Sequence, residues 1–252
     1  MSSSVNYHCL AYASLEVCNP LDMATVDAAM TRTDLRPGAR ALDIGTGNGS
    51  IAVRLAEAFG LEVTAVELDP AMADIAHGRI LASPAADRIT LRQTRSGAVL
   101  ADIPALDLIV ATGTTDPVGD GRLEPAAIFA ALSRHLKPGG WLLWGDLIWT
   151  GEPPAPVRQI FELTNLFTTD AGTRDDARAA GFEVVHAEIS PQAAMDHYLG
   201  TADRTARAWL ADNPHAPEAA AVRNSADRVK MTFEFGGDYV DFGLYLLRKP
   251  PI

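Results

Sequence analysis

The sequence predicts an α/β fold in which strands and helices alternate along the chain, and three observations predict it. The first is the stretch Ala39 to Ile44, a short apolar run carrying Asp43, followed at once by Gly45, Gly47 and Gly49 at alternate positions. A helical pattern with Ile51, Leu55 and Phe59 on one face comes next, so the unit reads strand, tight glycine turn, helix start. The second is another apolar run, 62–66, that ends on an acid, Glu67. The third is repetition, because strand-like runs at 88–93, 106–111 and 141–147 are separated by helical patterns. Ligands of such sheets bind beyond the carboxyl ends of the strands, where the glycine turn and Glu67 fall.

Composition sets the outer bounds. A chain of 252 residues with 48% hydrophobic content suits one α/β domain with an insertion or lid. No apolar run is long enough to span a bilayer, and Met1-Ser2-Ser3-Ser4 opens no basic-then-apolar signal pattern. A formal net charge of −11 disfavours nucleic acids and anionic membranes, both of which need a basic footprint. The only cysteines, Cys9 and Cys18, fit no metal spacing, so a reduced, cytoplasmic protein is expected. The oligomeric state is open, a homodimer being allowed.

Each element follows from local pattern. Leu21 to Thr33 reads as a helix with Met23, Val26 and Met30 on one side, and Arg36-Pro37-Gly38 turns the chain into the first strand. Residues 50–59 form the next helix. After Glu67, Asp69-Pro70 starts a helix through Leu81, with proline at an early position where its missing N–H costs nothing. The strand 88–93 leads to Thr94-Arg95-Ser96-Gly97, and the strand 106–111 to Thr112-Gly113-Thr114. A helix over 124–136 stops at Lys137-Pro138-Gly139-Gly140, before the strand from Trp141 to Leu147. Short helices are expected at 156–167 and 173–180, then a strand from Phe182. Two longer helices follow, one with Met195, Tyr198, Ala202, Ala206 and Trp209 on a face, the other with Val222, Ala226, Val229 and Phe233. Asn213-Pro214 breaks them, and 239–247 closes the chain as a strand.

The glycine spacing separates two ligand classes. A dinucleotide turn is G-x-G-x-x-G, whereas here the third glycine comes one residue early. Asp43-x-Gly45-x-Gly47-x-Gly49 resembles motif I of the class I S-adenosylmethionine (AdoMet) dependent methyltransferases, and Leu136-Lys-Pro-Gly-Gly-Trp-Leu142 resembles their post-motif III. AdoMet has an ammonium and a sulfonium in place of a pyrophosphate; a carboxylate at the turn suits that ammonium and would repel phosphate. The resemblance covers 39–190 and the closing strand. It implies a Rossmann-like, seven-stranded, mostly parallel sheet with the last strand antiparallel and helices on both faces. It further implies a core of 39–190 and 239–252, an N-terminal helical cap over 1–38, and a helical lid at 191–238 that chooses the substrate.

The same resemblance places AdoMet on Asp43, Gly45, Thr46, Gly47 and Gly49, on Glu67 through the ribose hydroxyls, on Leu68 against the adenine, and on Ala111 and Thr112 beside the methionine. Met72 packs near the adenine or within its helix. The family's adenine-binding Asp after the third strand is missing. Arg95 stands there, a cation with no acceptor, so Asp102, Gln93, Ser96 or a backbone carbonyl must accept the adenine proton, while Arg95 stacks or pairs with an acid. Methyl transfer needs a base only if the acceptor is a hydroxyl or an ammonium. His197 and Tyr198 on the insertion are the catalytic candidates, with His8 next; Tyr7, His8 and Trp149 are candidate substrate contacts. No metal is expected, because Asp146 has no second ligand at a telling spacing. The expected activity is transfer of a methyl group to an oxygen or nitrogen of a small-molecule metabolite. The alternatives are an NAD(P)-dependent oxidoreductase, against which the absence of a Tyr-x-x-x-Lys pair also counts, and a non-catalytic AdoMet binder.

Overall fold

A computed structural model describes residues 5–163 and 165–251 of the chain. Helix α1 (Tyr7–Ala13) is started by the Asn6 side chain, which accepts from Cys9 N–H, and α2 (Met23–Met30) by Asp22, which accepts from Thr25 N–H. Strand β1 (Arg40–Ile44), helix α3 (Ser50–Phe59) and strand β2 (Glu62–Glu67) follow. Helix α4 (Pro70–Ala82) has Asp69 as its cap and proline in its first turn. Next come β3 (Ile89–Gln93), α5 (Ser96–Asp102), β4 (Leu106–Thr112), α6 (Pro125–Ser133) and β5 (Leu136–Trp149). The chain continues through α7 (Ala155–Phe161), α8 (Asp170–Ala179), β6 (Glu183–Ile189), α9 (Gln192–Asp212) and α10 (Ala219–Gly236) to β7 (Val240–Arg248).

The seven strands lie in the order β3-β2-β1-β4-β5-β7-β6, and β7 runs antiparallel to both its neighbours. Side chains alternate across the sheet, so each strand supplies two cores. On one face Leu108, Val110, Leu143 and Leu244 pack with Ile51 and Leu55 of α3 and with Val26 and Met30 of α2. On the other, Leu42, Ile44, Ile109 and Trp144 pack with Phe129 and Leu132 of α6 and Ala177 of α8. A third cluster stands apart from the sheet, where α1 (Tyr7, Ala11) meets α9 (Ala202, Ala206) and α10 (Val222, Ala226). No described helix is long and apolar enough to cross a membrane.

The helix expected over 156–167 ends at Phe161, and three elements differ more from expectation. Residues 137–140 form part of β5 and not a stop: Gly139 N–H donates to Lys249 O at 2.9 Å and Lys249 N–H to Gly140 O at 2.8 Å, so a remote segment extends the ladder. Helix α5 fills a stretch after Thr94-Arg95 for which no element is expected. Helix α1 occupies a terminus for which no helix boundary had been drawn.

Candidate functional site

Strand order reverses between β1 and β4, which both start their connections at the sheet's centre, and a cleft of about 670 Å³ opens beyond their carboxyl ends. The turn after β1 forms its floor. Gly45, Gly47 and Gly49 have φ of 67°, 58° and 78°, the left-handed region that side chains avoid. At Gly45 the need is also steric, because a methyl group there would collide with the Thr114 side chain from the β4 tip. Asp43 is 2% exposed and accepts from Thr46 Oγ1 at 2.5 Å. Burial pushes its carboxyl up to about 6, against the Thr46 hydrogen bond, and Glu67 adds to the rise.

Glu67 at the tip of β2 is held by backbone. Its Oε1 accepts from Leu68 N–H at 2.8 Å and Asp69 N–H at 2.9 Å, and its Oε2 from Gly47 N–H at 3.0 Å. Burial raises its pKa. A carboxylate offers roughly four lone-pair sites, so a ribose diol would take the free one and compete with Gly47 for another. Leu68 beside it is 55% exposed, a flat apolar surface at the rim. Thr94, Arg95 and Ser96 line the same end, with Ser96 Oγ donating to Asp116 O at 3.1 Å and keeping lone pairs free. Asp102 and Gln93 do not line the cleft, so of the expected acceptors Ser96 and backbone remain at the adenine end, where Thr94 and Asp116 also stand.

The chain between α1 and α2 crosses over this floor as a strap. Asn48, fully buried within the glycine turn, donates through Nδ2 to Tyr12 O at 2.9 Å and Leu15 O at 2.8 Å. Its own N–H meets Cys18 Sγ at 3.4 Å. Asn6 Nδ2 donates to Asp69 Oδ2 at 2.9 Å, and Asn19 Nδ2 to Thr112 O at 3.1 Å. Sequence spacing left out Asn6, Tyr12, Cys18, Asn19, Asn48, Asp69 and Asp116, all in the wall. A possible signal was Asn48 itself, a side-chain donor inside a turn whose pattern requires only glycines around it.

Of the residues expected at the site, Asp43, Gly45, Thr46, Gly47, Glu67, Leu68, Arg95, Ser96, Thr112 and His8 line the one cleft. Gly49 and Ala111 lie behind the wall as the αL start of α3 and a buried β4 residue. Tyr7 is buried among α9 and α10, and Trp149 among Val157, Phe161 and Val240; neither lines the cleft, because both rings pack into apolar clusters. His197 lies on the exposed side of α9. Tyr198 faces inward, and its hydroxyl stands 3.1 Å from that of Tyr12, which lines the cleft. Burial pushes the Tyr198 hydroxyl well above 10 and raises that of Tyr12, so at neutral pH both are donors and not bases. Desolvation lowers the His8 pKa from 6.5, leaving a neutral imidazole at the cleft.

Two carboxylates at neighbouring strand tips, an apolar rim and a turn free of Cβ atoms fit AdoMet: Glu67 for the ribose, Leu68 for the adenine, Asp43 for the ammonium. Behind the β4 tip a further acid is walled in. Asp146 is pushed up to about 7 by burial, and its Oδ2 accepts from Asn165 Nδ2 at 3.1 Å.

Comparison with known proteins agrees. Residues 41–140 match the model of a methyltransferase domain. The structure of a SAM-dependent methyltransferase from Geobacter sulfurreducens in complex with S-adenosyl-L-homocysteine superposes with a TM-score of 0.81, covering 98% of this chain and 99% of that one at 25% identity. The Escherichia coli (strain K12) protein YjhP, itself uncharacterized, is 26% identical over 75% of each chain. The 27-O-demethylrifamycin SV methyltransferase of Amycolatopsis mediterranei (strain S699) is 29% identical over 52% of this chain, which spans only 50% of that protein. Shorter matches include methyltransferases of ribosomal RNA and of ribosomal protein L11.

Proposed function

Because this chain is a class I, Rossmann-like S-adenosylmethionine-dependent methyltransferase, we propose that it methylates an oxygen or nitrogen of a small-molecule metabolite. The observation that carries this reading is the roof. The strap over residues 12–19 is tied across the glycine turn through Asn48 and to the β4 tip through Asn19, so the reacting end is covered on the side of the strap, which suits a small acceptor better than a macromolecular one. The net charge of −11 opposes an RNA acceptor. The rifamycin enzyme, by its name, acts on a small molecule, whereas the matches to ribosomal methyltransferases cover less than half of this chain.

AdoMet, when bound, supplies a methyl group on a sulfonium that leaves without protonation. The chain's part is to hold the nucleophile in line, which contributes several kcal/mol through orientation alone. Tyr12, Asn19, Thr112 and Thr114 are the polar groups at that end, with Tyr198 acting through Tyr12. A carboxylate or neutral nitrogen needs no base; a hydroxyl acceptor would use the neutral His8. We take 191–238 as the lid that selects the acceptor and 1–38 as the cap over the cofactor. A cytoplasmic location and a homodimer complete the reading, checked by fractionation and sedimentation.

Labelled AdoMet incubated with a metabolite extract, and in parallel with ribosomal RNA and with cell protein, tests the acceptor class. Label in the low-mass fraction alone is the expected result. Label confined to RNA or protein would overturn the reading.

A further inference from the structure

Asn19 is nine-tenths buried in the cleft wall, and the orientation of its carboxamide is set by one atom. The Thr112 carbonyl can only accept, so the group facing it at 3.1 Å must be the Nδ2 amine. The second amine hydrogen goes to Thr112 Oγ1 at 3.2 Å. Both donors are therefore engaged, and Oδ1 is turned the other way. It rests over Gly113, whose φ is 62° and whose Cα could carry no methyl group without striking it. Those two bonds are the side-chain hydrogen bonds of Asn19 among the described residues, and neither uses Oδ1. Oδ1 is not sealed off: it keeps access to the cleft, where a ligand donor would take the place of water.

A ligand donor for it has a place to come from. Thr112 and Gly113 cap β4, which pairs directly with β1 (Ile44 opposite Ala111), and the β1 tip carries Asp43. The methionine arm of the cofactor brings an ammonium to these two tips, with three N–H donors and a fixed positive charge. We propose that Asn19 Oδ1 accepts a hydrogen bond from that ammonium, making Asn19 a cofactor-binding residue that joins the N-terminal strap to the methionine arm. The same amide thus reads the strand tip through its nitrogen and the ligand through its oxygen. Closing the strap and filling the arm's site become one event. The proposal rests on the reading that the arm lies at the β1 and β4 tips.

Two ligands separate this role from a simple latch. S-adenosylhomocysteine has the amino acid arm; 5′-methylthioadenosine has the same nucleoside and a thioether but no arm. Calorimetric titration of wild type and Asn19→Leu with both is the test. Loss of a hydrogen bond to a charged group is expected to weaken S-adenosylhomocysteine by roughly 10- to 100-fold. Methylthioadenosine should stay within about twofold, which also reports an intact fold. Gly113→Ala, which keeps Asn19 but displaces its Oδ1, should give the same selective loss and serves if Asn19→Leu fails to fold. Parallel weakening of both ligands would mean that Asn19 only latches the strap, and would overturn the proposal. Unchanged binding of both would overturn it too, by assigning Oδ1 to the methyl acceptor. Wild-type protein that bound neither would instead overturn the cofactor placement on which the proposal stands.

Discussion

At Asp43, burial and function pull in opposite directions. Its carboxyl, ordinarily near 3.8, is pushed up to about 6 because ionising it inside the protein costs solvation that the Thr46 hydroxyl only partly replaces. Between those two values the folded chain holds a proton that the unfolded chain has released. This group's contribution to stability is therefore greatest at acid pH and falls as pH rises from about 4 to about 6, by roughly 3 kcal/mol in all. Asp146 acts with the same sign up to about 7, so only a paired comparison isolates Asp43. Asp43→Asn should melt up to roughly 5–10 °C above wild type at pH 8, the gap closing towards pH 4, while AdoMet affinity falls. In wild type, AdoMet affinity should rise as pH passes 6. Equal melting of variant and wild type at pH 8 would mean that Asp43 carries no such strain. The two expected bases give a second residue-level outcome. With Tyr198 a donor and His197 outside the cleft, His197→Ala combined with Tyr198→Phe should leave both limbs of the pH–rate profile in place. The rate itself should fall by less than about tenfold, the cost of one lost neutral hydrogen bond; a displaced limb would restore one of them as a base.

At the scale of elements, the strap is the part whose removal should be felt at a distance. Asn48→Ala leaves the Leu15 carbonyl without its donor and the Tyr12 carbonyl with only the Leu15 N–H, at an expected cost of about 1–3 kcal/mol. Hydrogen exchange should quicken over residues 7–22 while β1, β4 and β5 keep their protection, and AdoMet affinity should drop. Uniform loss across the sheet would make Asn48 a turn residue with no special tie to the strap. These ties also mark where sequence reading stops. Helix α3 and strand β2 were legible to the residue, because a periodic apolar face with glycines at either end is local information. Asp43 and Glu67 were legible for the same reason, each being the acid at the end of an apolar run. Asn48 finds its partner 36 residues away and Asn19 finds its own 93 away, and no spacing announces either pairing. The start of β5 was misread on the same ground: Lys137 to Gly140 look like a turn until the segment at Lys249 supplies ladder bonds. The short helices α1 and α5, seven residues each, were missed because so few positions carry little periodicity.

Across the whole molecule, the third apolar cluster joins α1, α9 and α10 to one another more than to the sheet. Polar ties reach from it and the strap to the core, namely Asn6 to Asp69, Asn48 to the strap and Asn19 to Thr112. Apolar contact adds Cys9 against Met72 of α4, Met195, Tyr198 and Leu199 of α9 against the sheet core, and Phe233 of α10 against Phe161. A unit whose helices pack more on one another than on the sheet opens as one body before the sheet unfolds. The cofactor would sit between the two, touching Glu67 and Asp43 on the core and the strap above. Ligand that binds only the closed form raises the cost of opening by RT ln(1 + [L]/Kd), about 2.7 kcal/mol at a hundredfold excess over Kd. Amides of α1, α9 and α10 should then exchange as a group in the free protein, faster than those of β1, β4 and β5. Saturation with S-adenosylhomocysteine should slow the three helices together, by up to roughly 100-fold at that excess. Slowing confined to the glycine turn and the tip of β2, with the helices unchanged, would show that the cap closes without regard to the ligand, and the insertion would then have to select its acceptor by some means other than closing over the cofactor.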